Sequence, residues 1–410
     1  MRAGSVYRGW SVATGCFLGI LVLFGVSYSF GVFLTPIQRD LGLSRAGVSL
    51  VFSLQTLVLY TVATLLGIAA DRYGVRRMLA FGTIAFSLGI VLTVFAQSFS
   101  TLLLAYGIVT AIGLSAIYVV SYATVPRWFE RRRGLASGLA TSGLGVGMVA
   151  IPFAAEVLID RFTWQHALLI IAACSAIALV VATLLIRDSP AGTDADLSKE
   201  FPAGIPEETP FDPARYRTEL WALVTSKRFL LIFVGWTGLF TTIYVVFVHI
   251  VAHATELGVG ERTGVLVLAV IGLTTAIARV LVGALSDRVG RFRTFVVCAL
   301  VMSLSTLSLA VIDSRLGLFV FAVVFGIVYG GNGALLSPLT ADLFGRANPN
   351  AVFGLVSLSF AVSGLFAPWG AGVIYDLQGA YTLAFVLSGA LGIFGSGLVV
   401  LAGRHPATPR

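Results

Sequence analysis

Apolar residues run along the chain in blocks of roughly two dozen, separated by short polar intervals. The blocks fall at 10–35, 46–70, 78–98, 101–125, 134–159 and 164–186, and again at 228–254, 263–285, 294–312, 316–341, 351–375 and 379–402. A helix needs about 20 apolar residues to cross a hydrocarbon core about 30 Å thick, so each block predicts one transmembrane helix. Intervals such as Gln97–Thr101 are long enough only to join antiparallel neighbours. The stretch 187–227 differs: it carries Pro190, Pro202, Pro206, Pro210, Pro213 and eight of the 19 acidic residues, which predicts a polar linker with a short surface helix from Pro213 to Thr225. The pattern predicts an all-α integral membrane protein of twelve transmembrane helices in two pseudo-symmetric six-helix bundles, 1–186 and 228–410, joined by the linker 187–227. The first block is too long for a signal-peptide core and no A-x-A site follows it, so it is read as a retained helix.

Composition agrees. Of 410 residues 58% are hydrophobic and 11% charged, with a mean hydropathy of +0.96, whereas soluble domains carry about 25% charged residues. This excludes a water-soluble enzyme, a disordered chain and a nucleic-acid binder. The net charge of +8 comes from basic residues between the apolar blocks. One set of loops and ends holds 21 of the 27 Lys and Arg, including Arg72, Arg76 and Arg77, Arg131 to Arg133, and Arg288, Arg291 and Arg293. The alternate set holds Arg39, Arg45, Arg161, Arg262 and Arg315. The positive-inside rule then places both termini and the linker in the cytoplasm of a multi-pass cell or inner-membrane protein. Cys16, Cys174 and Cys298 lie far apart inside apolar blocks and read as small hydrophobes.

The two halves repeat. Gly67-x-x-x-Asp71-Arg72-x-Gly74-x-x-Arg77 recurs as Gly283-x-x-x-Asp287-Arg288-x-Gly290-x-x-Arg293, 216 residues later. Gly107-Ile108-Val109 recurs as Gly326-Ile327-Val328, and Ser142-Gly143 as Ser363-Gly364. Parallel repeats of six spans are what an axis along the membrane normal produces. The loop 67–77 resembles the signature loop of the major facilitator superfamily. That resemblance implies alternating access, with Gly67, Asp71, Arg72, Gly74, Arg77, Asp287, Arg288 and Arg293 as a conformational latch between the halves. In physical terms the Gly lets two helices touch, the Asp faces a neighbouring helix N-terminus, and the Arg residues reach the headgroups.

A substrate site in this architecture lies near the midplane, where a single formal charge falls. Arg279 precedes Asp287 by eight residues, about 12 Å at 1.5 Å per residue. An intramembrane Arg with no central acid to pair with, the nearest being Glu156 and Asp376, calls for an anionic ligand of single charge. Arg279 in span 8, Arg133-Gly-x-Ala-Ser-Gly138 and the run Tyr28–Gly42 together resemble the monocarboxylate transporter family and the related oxalate:formate antiporter. The resemblance implies an Arg279 carboxylate site. It also marks two departures, Thr275 where animal relatives carry an acid one turn before that Arg, and Tyr28 where they carry a Lys. Tyr118 and Tyr329, at comparable depth in pseudo-equivalent spans, and Asn332 are further substrate-binding candidates, and His249 is the candidate proton carrier.

His249 and His253 have the spacing of a metal pair but lack a third ligand, Gly143-x-Gly145-x-Gly147 reads as helix packing, and there is no ATPase motif. No metal or cofactor is expected. The reading is a secondary transporter of small monocarboxylates of lactate or pyruvate type, coupled to a proton and functional as a monomer. The alternatives are an organic-anion exchanger or facilitator, an exporter of hydrophobic drugs, and a carboxylate sensor.

Overall fold

The computed structural model describes residues 7–43, 45–188, 213–345 and 348–404; most of the predicted linker, 189–212, lies outside the described residues. The chain forms thirteen described helices: α1 (Arg8–Leu41), α2 (Arg45–Tyr73), α3 (Val75–Val94), α4 (Phe99–Trp128), α5 (Arg133–Ile159), α6 (Trp164–Leu185), α7 (Pro213–Val224), α8 (Lys227–Glu256), α9 (Glu261–Val289), α10 (Arg291–Ser308), α11 (Arg315–Phe344), α12 (Pro349–Gln378) and α13 (Thr382–Arg404). All but α7 are long and apolar enough to cross a membrane. The twelve predicted spans are therefore present as α1–α6 and α8–α13, and α7 is the predicted linker helix.

Helix ends follow local chemistry. The first apolar block ends near Pro36, yet α1 runs through that proline to Leu41 and stops at Gly42, whose φ of 62° is left-handed. A proline removes one backbone bond but a long, packed helix absorbs it, whereas left-handed glycine ends a helix. Gly74 and Gly290, the paired glycines of the repeated loop, take φ of 93° and 104°. Each is the single residue between two long helices, and the positive φ turns the chain back with no further loop. The Ser98 side chain caps α4, which contains a π-helical stretch from Leu103 to Thr110 that no feature of the hydropathy pattern announced.

The two sets of six helices meet along two seams, both made by small residues. On one, Gly67 of α2 lies against the backbone of Asn350 and Ala351, and Thr64 Oγ1 donates to the Gly354 carbonyl of α12 at 3.0 Å. On the other, Gly134 of α5 lies against Gly283 of α9, Gly138 against the carbonyl of Arg279, and Gly145 against Ala276 and Gly272. With no side chain between them, two helix backbones approach closely enough for dispersion to replace the missing hydrophobic drive in lipid.

Candidate functional site

Arg279 stands midway along the α9 seam and is 1% exposed. Its Cζ lies 5.6 Å from the ring centroid of Tyr329 on α11, close enough for a cation–π interaction. The phenols of Tyr329 and of Tyr122 on α4 both face the guanidinium at polar-interaction range. Nε and Nη1 have no hydrogen-bond partner, and among the described residues no ion pair falls on Arg279. Buried polar atoms are nearly always satisfied, and an unpaired cation in the membrane costs several kcal/mol. Nε and Nη1 of the buried guanidinium thus remain able to donate to an anion.

Tyrosines surround it. Tyr28 of α1 stacks on Phe24 at 5.9 Å. Tyr60 of α2 meets Tyr118 of α4 edge to face at 5.2 Å and also packs on Phe360 of α12 at 5.5 Å. Tyr118 lies 5.0 Å from Tyr122 and its hydroxyl shares a 3.0 Å hydrogen bond with Ser357 of α12. Tyr244 of α8 faces Tyr60. Phenols from both sets of helices therefore converge on one charge, and they supply neutral hydrogen-bond groups without a competing carboxylate.

The structure separates the predicted site residues. It brings Arg279 and Tyr329 together and places Tyr28 and Tyr118 in the surrounding aromatic cluster. Thr275 is fully buried and donates its hydroxyl to the Gly326 carbonyl at 3.1 Å, a helix-packing contact. Asn332 Nδ2 lies 3.8 Å from Met302 Sδ on α10. His249 Nε2 is 3.1 Å from the Pro368 carbonyl of α12 and its ring is 4.9 Å from Tyr381, just before α13. Sequence reasoning passed over Tyr122, although it sits one turn from Tyr118, and it passed over Tyr60, Tyr244 and Tyr381. It also had no signal for Gly333, where an added Cβ would stand 2.5 Å from Arg279 Cζ and 2.8 Å from Nη1.

The arginine-rich end is closed. Asp71, the acid of the first repeated loop, accepts hydrogen bonds from Asn350 Nδ2 at 2.7 Å and from the backbone N–H groups of Asn350 and Ala351 at 3.3 and 2.9 Å. Asp287, its counterpart, accepts from Gly134 N and Leu135 N, both at 2.9 Å. Each aspartate thus caps the first turn of a helix in the opposite set, α12 for Asp71 and α5 for Asp287, where unpaired N–H groups and the helix dipole favour a negative charge. Arg291 extends the second cap. Its Nε and Nη2 reach Asp287 at 3.0 and 2.8 Å, Nη2 reaches the Glu130 carbonyl at 2.8 Å, and Nη1 reaches Asp342 at 3.2 Å. Asp342 also pairs with Arg133, whose side chain is 4% exposed. Of the predicted arginines, Arg72 lies over the Tyr73 ring at 5.1 Å. Arg77, Arg288 and Arg293 are exposed. The lateral ties run instead through Arg133 and Arg291.

Twelve spans, two seams and a buried cation between them define a multi-pass membrane transporter. The profile of the Major Facilitator Superfamily matches residues 16–315 and 238–410, and the chain belongs to that superfamily. It is 28% identical over 398 residues to monocarboxylate transporter 13 of Rattus norvegicus, covering 96% of this chain and 88% of that protein. It is 27% identical over 409 residues to monocarboxylate transporter 4 of Mus musculus, covering 97% and 83%. Its fold is similar to the E. coli fucose:proton symporter (TM-score 0.73, 13% identity, 97% of this chain and 100% of that one). It is also similar to a proton:xylose symporter (TM-score 0.71, 14% identity, 96% and 95%). These relatives and structural neighbours are transporters and not enzymes.

Proposed function

We propose that the protein carries small monocarboxylates of lactate or pyruvate type across the cell or inner membrane by alternating access, with Arg279 binding the carboxylate. The observation that carries this is the buried guanidinium with two unpartnered nitrogens, faced by the phenols of Tyr122 and Tyr329. A single cation suits a single negative charge, and a planar carboxylate fits the guanidinium fork. The relatives named monocarboxylate transporters support the substrate class. The excess of Lys and Arg on one set of loops supports a cytoplasmic position for the closed end and the linker. One chain suffices, because tyrosines from both sets of six helices converge on the same arginine.

Coupling to a proton is part of the proposal, with His249 as carrier. This histidine is 9% exposed and hydrogen-bonds the backbone of α12 at Pro368, a helix that also carries the Asp71 contact at its start. A proton taken up there would act on the packing of α8 against α12, not on the carboxylate directly. Uptake of labelled L-lactate and pyruvate into proteoliposomes, with and without an inward proton gradient, tests both parts. Uptake stimulated by the gradient supports symport. Saturable uptake indifferent to it supports exchange or facilitated transport, and no saturable uptake of either acid overturns the substrate class.

A further inference from the structure

We infer that Gly333 is a positioning residue for the anion site, a conclusion that rests on the carboxylate role proposed for Arg279. The guanidinium occupies the space a side chain at 333 would take: an added Cβ would overlap Nη2 and lie 2.5 Å from Cζ and 2.8 Å from Nη1. The Tyr329 ring, one helical turn earlier on α11, lies 5.6 Å from the same group. Arg279 is thereby seated against bare α11 backbone, with Nε and Nη1 left for a ligand. A long, flexible side chain held this way loses less freedom when an anion binds.

Neighbouring glycines differ. At Gly331 an added Cβ would meet Cys298 Sγ at 2.7 Å and Val282 Cγ1 at 2.8 Å, so that glycine serves helix packing. Gly333→Ala should raise the apparent KM for labelled L-lactate and pyruvate about tenfold or more with maximal rate changed less than threefold. Gly331→Ala should lower the melting temperature and leave KM within threefold. A readout independent of substrate is a double-mutant cycle on melting temperature. The cost of Gly333→Ala should shrink when Arg279→Lys removes the fork it displaces. An unchanged KM in Gly333→Ala, or additive melting shifts, overturns the inference. Absence of uptake by the unmodified protein counts against the carboxylate reading alone, because the melting cycle still reads the Gly333–Arg279 contact.

A separate observation concerns α7, and the geometry points to a strap across the closed end. Tyr216 donates its hydroxyl to Asp71 Oδ2 at 3.4 Å, while Glu219, three residues on, accepts from Asn348 Nδ2 at 3.2 Å. Asp71 lies in the last turn of α2 and Asn348 immediately precedes α12, so one short helix contacts the two helices that the latch joins. Tyr216 and Leu223 are buried and Trp221 is 71% exposed, which leaves an aromatic for the membrane interface on the outward face. When the two sets of helices part at this end, α7 has to release at least one side. In the full chain in lipid nanodiscs, the double variant Tyr216→Phe, Glu219→Gln should raise amide hydrogen exchange about fivefold at both 71–75 and 348–352. Unchanged exchange at those two loops, or a rise confined to α7, overturns the strap.

Discussion

Replacing Arg279 tests the central claim most directly. The side chain is 1% exposed with two nitrogens unpartnered, so a bound carboxylate gains charge-assisted hydrogen bonds that no described acid already holds. Each such bond contributes about 1.5–3 kcal/mol. Arg279→Lys keeps the charge but cannot present two parallel N–H groups. Losing one bond at about 1.4 kcal/mol per decade predicts a roughly 10- to 150-fold weaker apparent affinity. Arg279→Gln removes the charge as well and leaves the incoming carboxylate buried and unpaired, a penalty of about 3–5 kcal/mol that should put uptake below detection. The assay is saturation uptake of labelled L-lactate and pyruvate by purified protein in proteoliposomes, normalised to correctly folded material by gel filtration. An Arg279→Gln variant with KM within threefold of the unmodified protein would refute the reasoning, because Arg279 is the cation that faces Tyr122 and Tyr329.

Asp71→Asn exchanges a charged cap on α12 for a neutral one and should weaken closure of the arginine-rich end by about 1–2 kcal/mol; turnover should fall while equilibrium binding of L-lactate stays within threefold. Asp342→Asn removes a counter-charge from the nearly buried Arg133, which should cost up to about 3 kcal/mol and show as a lower melting temperature. His249→Gln should abolish stimulation by an inward proton gradient while sparing exchange of labelled for unlabelled substrate, and surviving gradient-driven accumulation would remove His249 as carrier. Burial and the adjacent Asp71 carboxylate push the Tyr216 phenol well above its ordinary range. A raised pKa keeps the donor protonated, so docking of α7 should not vary from neutral pH to about pH 10 and should loosen only at higher alkaline pH, read by hydrogen exchange at 348–352.

Gly138→Ala would overlap the Arg279 carbonyl oxygen, and it should open the α5–α9 seam. Its expected signature is faster labelling of a cysteine introduced at the arginine-rich end.

The number and course of the spans were legible in the sequence, because a bilayer admits only continuous apolar helices of a set length and the loops sort their charges by side. The repeated loop was legible for a similar reason: Asp71 and Asp287 stand at equivalent places in two halves folded alike, and a single acid beside a short turn has few partners other than a helix N-terminus. Arg279 announced itself by its cost, since one formal charge at that depth has no bland explanation. What the sequence could not supply was which side chains meet it. Tyr118 and Tyr122 lie one turn apart on one helix, yet it is Tyr122 that faces the arginine, and that depends on the rotation of α4 against α9. Thr275 lies one turn from Arg279 and still turns its hydroxyl to Gly326. Arg291, which reads as one topology charge among several, ties Asp287 to Asp342 and to the Glu130 carbonyl, whereas Arg288 and Arg293 stay exposed. Hydropathy and spacing set what one helix must do alone in lipid. Which face of it meets which neighbour is decided by close packing of small residues at the two seams, and only the assembled structure resolves that.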